Sequence, residues 1–457
     1  MAGVTGVSAA SPPSVVLVLI DDLGWYDLGC QGGVFFETPR IDSLAAHGVR
    51  FTDAYANCPV CSPSRAALMS GQYPGRVGFT GHITAIGRHR HPEGSAIIPP
   101  DDRMSLAQGV VTLAEALSAQ GYATASIGKW HLGAEGSLPR SHGFDVNIAG
   151  HQHGSPAGYF HPYRNAAQTW NPDMPNLDLS VGKEGDYLTD RLTDEAVRFI
   201  EASAGGPFFL YLSHYAVHTP LEAPARIVAK YEAKLRRFGL GPDPVYAAMV
   251  ETVDRSVGRV LGALEAEGID DNTVVILTSD NGGLSTVTDN GPLREGKGHL
   301  YEGGIRVPLI VRWPGRGEPG TLVREPVTLA DLYPFVRELA GSVIGQGGPL
   351  DGRSLAPLFD GERWQSRDLV WYYPHYSPQA KAPGAALRHG RYKLIEHYDP
   401  PAVELYDLDT DVGESRDLAD RLPAVTGRLR ARLTAWIESN VAIRHTPNPA
   451  AARSVPR

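Results

Sequence analysis

Residues Ser14-Val15-Val16-Leu17-Val18-Leu19-Ile20 run without a polar break into Asp21-Asp22. An unbroken aliphatic run of this length marks a strand buried on both faces, as in a parallel sheet covered by helices. Three other stretches repeat the pattern of an apolar run ending in polar chemistry. Tyr122-Ala123-Thr124-Ala125-Ser126-Ile127 leads into Gly128-Lys129-Trp130-His131, and Phe208-Phe209-Leu210-Tyr211-Leu212-Ser213 leads into His214 and then His218. Thr273-Val274-Val275-Ile276-Leu277-Thr278 leads into Ser279-Asp280-Asn281-Gly282-Gly283. Helical periodicity fills the intervals, over 112–120, 189–202 and 245–267. Alternation of strand and helix predicts an α/β fold, a large mixed, mostly parallel sheet flanked by helices on both faces. Ligand sites of open parallel sheets lie beyond the carboxyl ends of the strands, so the four clusters are expected to meet on one edge. The bland alternative is four separate solvated loops.

The texture changes near Ser366. Arg391-Tyr392-Lys393-Leu394-Ile395-Glu396 and Glu404-Leu405-Tyr406-Asp407-Leu408 read as paired antiparallel strands. A helix over 425–440 follows, with Leu429, Leu433 and Trp436 near helical spacing. These predict a smaller C-terminal α+β subdomain over 366–457, behind a catalytic domain over 14–365. The tail from His445 is rich in Pro, Ala and Arg and is expected to be loosely held.

Bulk properties narrow the partners. The 457 residues carry a net charge of −9, with 42% apolar and 20% charged side chains, an ordinary globular composition. No basic run exists, which argues against nucleic acid. An anionic substrate would need a local positive pocket. Three cysteines do not make a disulfide framework. The start, MAGVTGVSAASPP, lacks the basic and apolar regions of a signal peptide. The expected location is therefore cytoplasmic as written, or periplasmic or secreted if the start is trimmed. Val15 to Ile20 is the longest apolar run and is too short to cross a bilayer, so no membrane partner is expected.

A second stretch carries the chemistry: Cys61-Ser62-Pro63-Ser64-Arg65-Ala66-Ala67-Leu68-Met69-Ser70-Gly71. Pro63 suits a first helical turn and Gly71 a helix stop, which puts Cys61 at a helix N-terminus with Arg65 one turn on. Positive electrostatics there favour a reactive thiol. Cys61 could equally be a small buried hydrophobe, or pair with Cys58 in a C-x-x-C. Asp21, Asp22, Asp280 and Asn281 supply hard oxygens at two strand ends, a set suited to calcium or magnesium, although each pair alone reads as a turn or cap. Lys129 and His131 straddle Trp130, so an extended segment would aim both at one anion. Lys297 lies between glycines that allow close backbone approach to a ligand. His214 and His218 compete for the role at the third strand end, and His153 sits in the polar loop Gly150-His151-Gln152-His153-Gly154-Ser155.

Taken together these strings resemble the type I, formylglycine-dependent sulfatases of the alkaline phosphatase superfamily, in particular the arylsulfatase A and N-acetylgalactosamine-6-sulfatase type. Cys61-Ser62-Pro63-Ser64-Arg65 matches the family's C-x-P-x-R signature, and Gly128-Lys129-Trp130-His131-Leu132-Gly133 matches its G-K-W-H-L-G almost letter for letter. His218-Thr219-Pro220 matches its His-Thr-Pro, and the segment around Lys297 its second sulfate-binding lysine. The resemblance implies that Cys61 is converted to formylglycine by a formylglycine-generating enzyme. It also implies a divalent ion, usually calcium, held by Asp21, Asp22, Asp280, Asn281 and the modified Cys61. Arg65, Lys129, His131, His218 and Lys297 are then the remaining catalytic residues, with His153 as a substrate contact and His214 as a structural residue or a substrate contact. The implied substrate is a sulfated small molecule or saccharide, with sulfated galactose or N-acetylgalactosamine as the first candidate. Two competing readings are a phosphodiesterase or phosphonate monoester hydrolase, and a catalytically silent glycan-binding protein.

Overall fold

The computed structural model describes residues 12–83, 91–101, 103–163, 179, 182–342, 348–380 and 382–451. The first eleven residues, on which the signal-peptide reading rests, lie outside the described residues. The central sheet has eight strands: β1 (Ser14–Ile20), β2 (Val49–Phe51), β3 (Ala123–Gly128), β4 (Val146–Ile148), β5 (Phe208–Ser213), β6 (Thr273–Ser279), β7 (Leu309–Arg312) and β8 (Thr321–Val323). Their order is β8-β2-β7-β6-β1-β5-β3-β4. All pairings are parallel except those of β7 with β2 and β6.

β1 lies between β5 and β6, with Leu17 opposite Tyr211 on one side and Ile276 on the other. Alternate side chains of β1 feed two cores. Val16, Val18 and Ile20 pack toward α1 (Pro39–Ala46), α4 (Leu188–Ser203), α5 (Ala225–Phe238) and α6 (Pro244–Ala266). Val15, Leu17 and Leu19 pack toward α2 (Cys61–Ser70), α3 (Leu113–Ser118) and α7 (Leu332–Leu339). The unbroken apolar run therefore reflects a strand with no solvent face. Among the described residues no helix is long and apolar enough to cross a membrane.

The C-terminal part is a four-stranded antiparallel sheet of β9 (Asp368–Tyr373), β10 (Gly384–His389), β11 (Tyr392–Tyr398) and β12 (Pro401–Asp407), in that order, covered by α8 (Pro423–Asn440). Leu429 and Leu433 point inward as expected, but the third inward residue is Ile437. Trp436 is half-buried, its ring 5.6 Å from that of Tyr73. The tail also differs from expectation. His445 lies 4.2 Å from the Tyr398 ring centre and its Nδ1 is 2.8 Å from the Tyr372 hydroxyl. Thr446–Pro447 pairs with Ile97–Ile98, and Asn448 donates to the Ser95 carbonyl. Its anchors lie far away in sequence, so composition alone concealed them; residues 452–457 fall outside the described residues.

The two parts join through buried ions. Lys393 of β11 sits 2.9 Å from Glu302 Oε1 and 2.8 Å from Glu414 Oε1, all three side chains without solvent contact. Two carboxylates around one ammonium cannot both ionise freely. Lys393 and Arg306 hold Glu302 down to about 2 against the effect of burial. Burial, with Glu302 adding repulsion, pushes Glu414 up to about 7. A raised carboxyl pKa stabilises the fold fully below the unfolded value near 4.5, and that contribution is lost as pH rises through about 7. Urea unfolding between pH 5 and 8 should therefore show stability falling with pH, and Glu414→Gln should flatten that slope. An unchanged slope in the variant would show that Glu414 does not carry it.

Candidate active site

Three strand ends are tied together before any side chain acts. Asp21 N–H donates to Ala216 O, Asp280 N–H donates to Ile20 O, and Leu23 N–H donates to Ser279 Oγ. Asp22 takes a left-handed φ of 61°, which turns the chain sharply after β1. The carboxylates of Asp21, Asp22 and Asp280 consequently crowd together, with one oxygen of each within 4.8 Å of the others. All three are buried.

Cations from distant elements face them. Lys129 Nζ contacts both oxygens of Asp21 at 2.9 and 2.7 Å, and Lys297 Nζ contacts Asp22 Oδ2 at 2.7 Å. Arg65, from the second turn of α2, donates Nε–H to Asp280 Oδ2 at 2.8 Å and Nη1–H to Ser213 Oγ and Lys129 O. Its Nη2 has no hydrogen-bond partner and lies 3.7 Å from Asp21. Burial opposes the Arg65 charge, but Asp280, Tyr211 and Asp21 carry its pKa upward. Burial likewise raises the carboxyls, and the outcome depends on the partner. Lys297 and His218 hold Asp22 well below the carboxylate range, and Arg65 and Lys129 hold Asp280 down. Asp21 stays well above it, because burial and its two acidic neighbours outweigh Lys129.

Three clustered carboxylates fit a hard divalent cation. Asn281 strengthens the fit. Its Nδ2 donates to Asp22 Oδ1 and Gly282 O, while its Oδ1 is buried with no partner. A buried carbonyl oxygen without a donor is costly and is the kind of ligand such an ion takes. Asp21, Asp22, Asp280 and Asn281 thus stand together as the sequence reading anticipated. Cys61 Sγ is not among the atoms that lie within 4.8 Å of one another in this cluster.

Cys61 is the first residue of α2, and Gly71, at φ 67°, closes that helix. The thiol is 4% exposed. Burial pushes its pKa up, and Lys129 and Lys297 recover only part of the shift. Desolvation thus works against the thiolate that the helix-terminus position favours and outweighs the nearby positive charge. Neither Cys58 nor Cys61 is in a disulfide, so the C-x-x-C is not an oxidised pair.

Lys129 and His131 reach this region by a different route from the extended segment expected. Gly128 and His131 have φ of 102° and 57°, so the chain turns instead of alternating. His131 N–H donates to His151 O, and ring Nε2 is 3.3 Å from Ile83 O. A carbonyl partner requires the proton on Nε2, which leaves the buried, unpartnered Nδ1 as a free lone pair. Burial, then Lys129 and Arg65, keep this imidazole neutral. The loop with His153 backs onto it, since a Cβ on Gly154 would fall 2.4 Å from His131 Cε1. His153 is half-buried, with its ring 5.0 Å from that of His151.

The two histidines after β5 separate clearly. His218 Nδ1 is 2.7 Å from Thr219 O, and its Nε2 is 3.6 Å from Asp22 Oδ2. Burial and Lys297 bring it down to about 3. His214 is fully buried, its Nε2 2.9 Å from Ser256 Oγ of α6. It ties β5 to a helix, the structural one of the two roles that the sequence left open for it. Ser213 and Ser279 were missed; both are strand-end hydroxyls, the same signal that marked their neighbours.

Removing the Arg65 charge leaves Asp280 buried without its cation. Arg65→Met should therefore destabilise the protein by roughly 3–5 kcal/mol. Denaturant unfolding measures this, and a loss below about 1 kcal/mol would contradict the arrangement.

Comparison with known proteins agrees with this geometry. The family model described as Sulfatase matches residues 13–342, and one described as N-sulphoglucosamine sulphohydrolase, C-terminal, matches residues 296–439. A sulfatase of Formosa agariphila is 33% identical, covering 95% of this chain and 90% of its own length. Arylsulfatase A of Homo sapiens is 32% identical, covering 92% and 86%. The crystal structure of Ps i-CgsB in complex with k-i-k-neocarrahexaose aligns with a TM-score of 0.79 at 30% identity, covering 94% of each chain.

Proposed function

Because the chain belongs to the sulfatase family and is a sulfuric ester hydrolase, we propose that it removes sulfate from a saccharide, with Cys61 converted to formylglycine and calcium held by Asp21, Asp22, Asp280 and Asn281. One observation carries the reading: residue 61 opens α2 beside Lys129 and Lys297, whose ammonium groups already contact the carboxylate cluster. A structural relative crystallised with a neocarrahexaose supports a saccharide substrate.

Charge balance supports a bound dication. With all three carboxyl groups ionised, as a bound dication would hold them, they balance Arg65, Lys129 and Lys297 and leave no net charge to attract an anion. The ion supplies the charge that balances the carboxylates, leaving Lys129 and Lys297 to face the sulfuryl oxygens. Arg65 is fixed on Asp280 and Ser213 and orients the hydrated side chain of residue 61. Asp280 accepts the proton of the attacking hydroxyl as its oxygen bonds to sulfur. Lys297 supplies a proton to the departing alcohol, with His218 beside it at Asp22. The second hydroxyl of the hydrate then loses its proton to the free Nδ1 of His131, which expels sulfate and restores the aldehyde.

In this reading a formylglycine-generating enzyme acts on Cys61 during maturation. Cys61→Ala should abolish aryl sulfate turnover while leaving far-UV circular dichroism unchanged, and full residual activity would end the nucleophile assignment. Active wild-type protein should yield a residue-61 peptide with the mass of the aldehyde or its hydrate. It should also turn over aryl sulfate faster than aryl phosphodiester. The opposite preference would favour the phosphodiesterase reading. Chelation should lower the melting temperature, with calcium restoring it better than magnesium. Insensitivity to both would remove the cation.

A further inference from the structure

Lys297 is held from below by backbone alone. Its N–H donates to Gly283 O, and the next N–H, of Gly298, donates to Pro59 O, two residues before Cys61. The loop that carries it folds back over the short helix Glu302–Ile305. Gly303 N–H donates to Arg294 O, and a Cβ on Gly303 would fall 2.2 Å from Glu295 O. A Cβ on Gly304 would fall 2.0 Å from His299 O. Backbone in such close contact leaves no slack: a shift of Glu302–Gly304 must displace the loop.

Glu302 is in turn fixed by the C-terminal sheet. Its N–H donates to Glu414 Oε2 at 2.6 Å, and its Oε1 meets Lys393 Nζ at 2.9 Å. Its Oε2 accepts from Tyr55 Oη at 2.7 Å and Arg306 Nη1 at 3.3 Å. Lys393 also meets Glu414, so two residues of the smaller unit grip both the backbone and the side chain of Glu302. Neither has a direct contact with Cys61, Lys297 or the three aspartates among the described interactions.

We propose that Lys393 and Glu414 are positioning residues for Lys297, setting the height of its ammonium through Glu302 and the glycine-packed loop. The proposal rests on the role given to Lys297 above. The C-terminal sheet is then a functional part of the sulfate-binding apparatus and not an appendage to it.

Hydrogen exchange followed by mass spectrometry, paired with aryl sulfate kinetics per formylglycine-bearing enzyme, tests this on the full chain. In Lys393→Met, amides of the 294–304 segment should exchange at least tenfold faster, while those of α4 and α6 stay unchanged. KM for aryl sulfate should rise at least tenfold. Glu414→Gln keeps an acceptor for Glu302 N–H and should show both effects in weaker form, which serves if Lys393→Met fails to fold. Faster exchange spread over the whole chain, or localised loosening with KM unaltered, would overturn the proposal. A wild-type enzyme inert toward aryl sulfate would instead refute the assigned reaction, and the exchange result would still decide whether Lys393 governs the loop.

Discussion

Everything at the site follows from forcing three carboxylates together at the ends of two adjacent strands. Side by side, β1 and β6 place Asp21, Asp22 and Asp280 in one buried cluster. Such a cluster is tolerable only if cations arrive from elsewhere. The chain brings Arg65 from α2, Lys129 from beyond β3 and Lys297 from a glycine-rich loop. Those three contacts dock α2 and the loops around the central strand. The same electrostatic demand that draws the molecule together at this edge also gathers three buried cationic groups from separate elements at one place.

Much of the fold was visible because the physical cause was local. Continuous aliphatic runs announced β1, β5 and β6, whose burial on both faces requires them. The polar residues at the carboxyl ends of these strands and of β3 stood out because no core needs them, so Asp21, Asp22, Asp280, Asn281 and Lys129 could be singled out before any contact was known, while His218 was preferred to His214 only through its resemblance to a His-Thr-Pro string. α2 was equally legible, since Pro63 and Gly71 punctuate it at both ends.

What sequence could not give were effects decided by partners far along the chain. His214 and His218 have similar local settings, and only the packing of α6 over β5 makes one structural. The charge state of Cys61 depended on whether burial or two remote lysines prevailed, a contest with no local signature. The turn at His131 depended on the carbonyl of His151, and the docking of His445 on two tyrosines of the small sheet. Composition made that tail look free because its residues have their partners far along the chain, 73 positions away for His445 and 353 for Asn448.

The complete enclosure of α2 has a consequence for biosynthesis. Every residue of this helix is buried, one flank against the main core and Ala67 against the core of the small sheet. Residue 61 is itself buried, and the segments that cover Ala67 of the same helix, including β9, β10 and α8, are made long after it. If the conversion of Cys61 proposed above takes place, a maturase that has to grip this stretch in its own cleft can reach it only before the last third of the polypeptide docks over the helix.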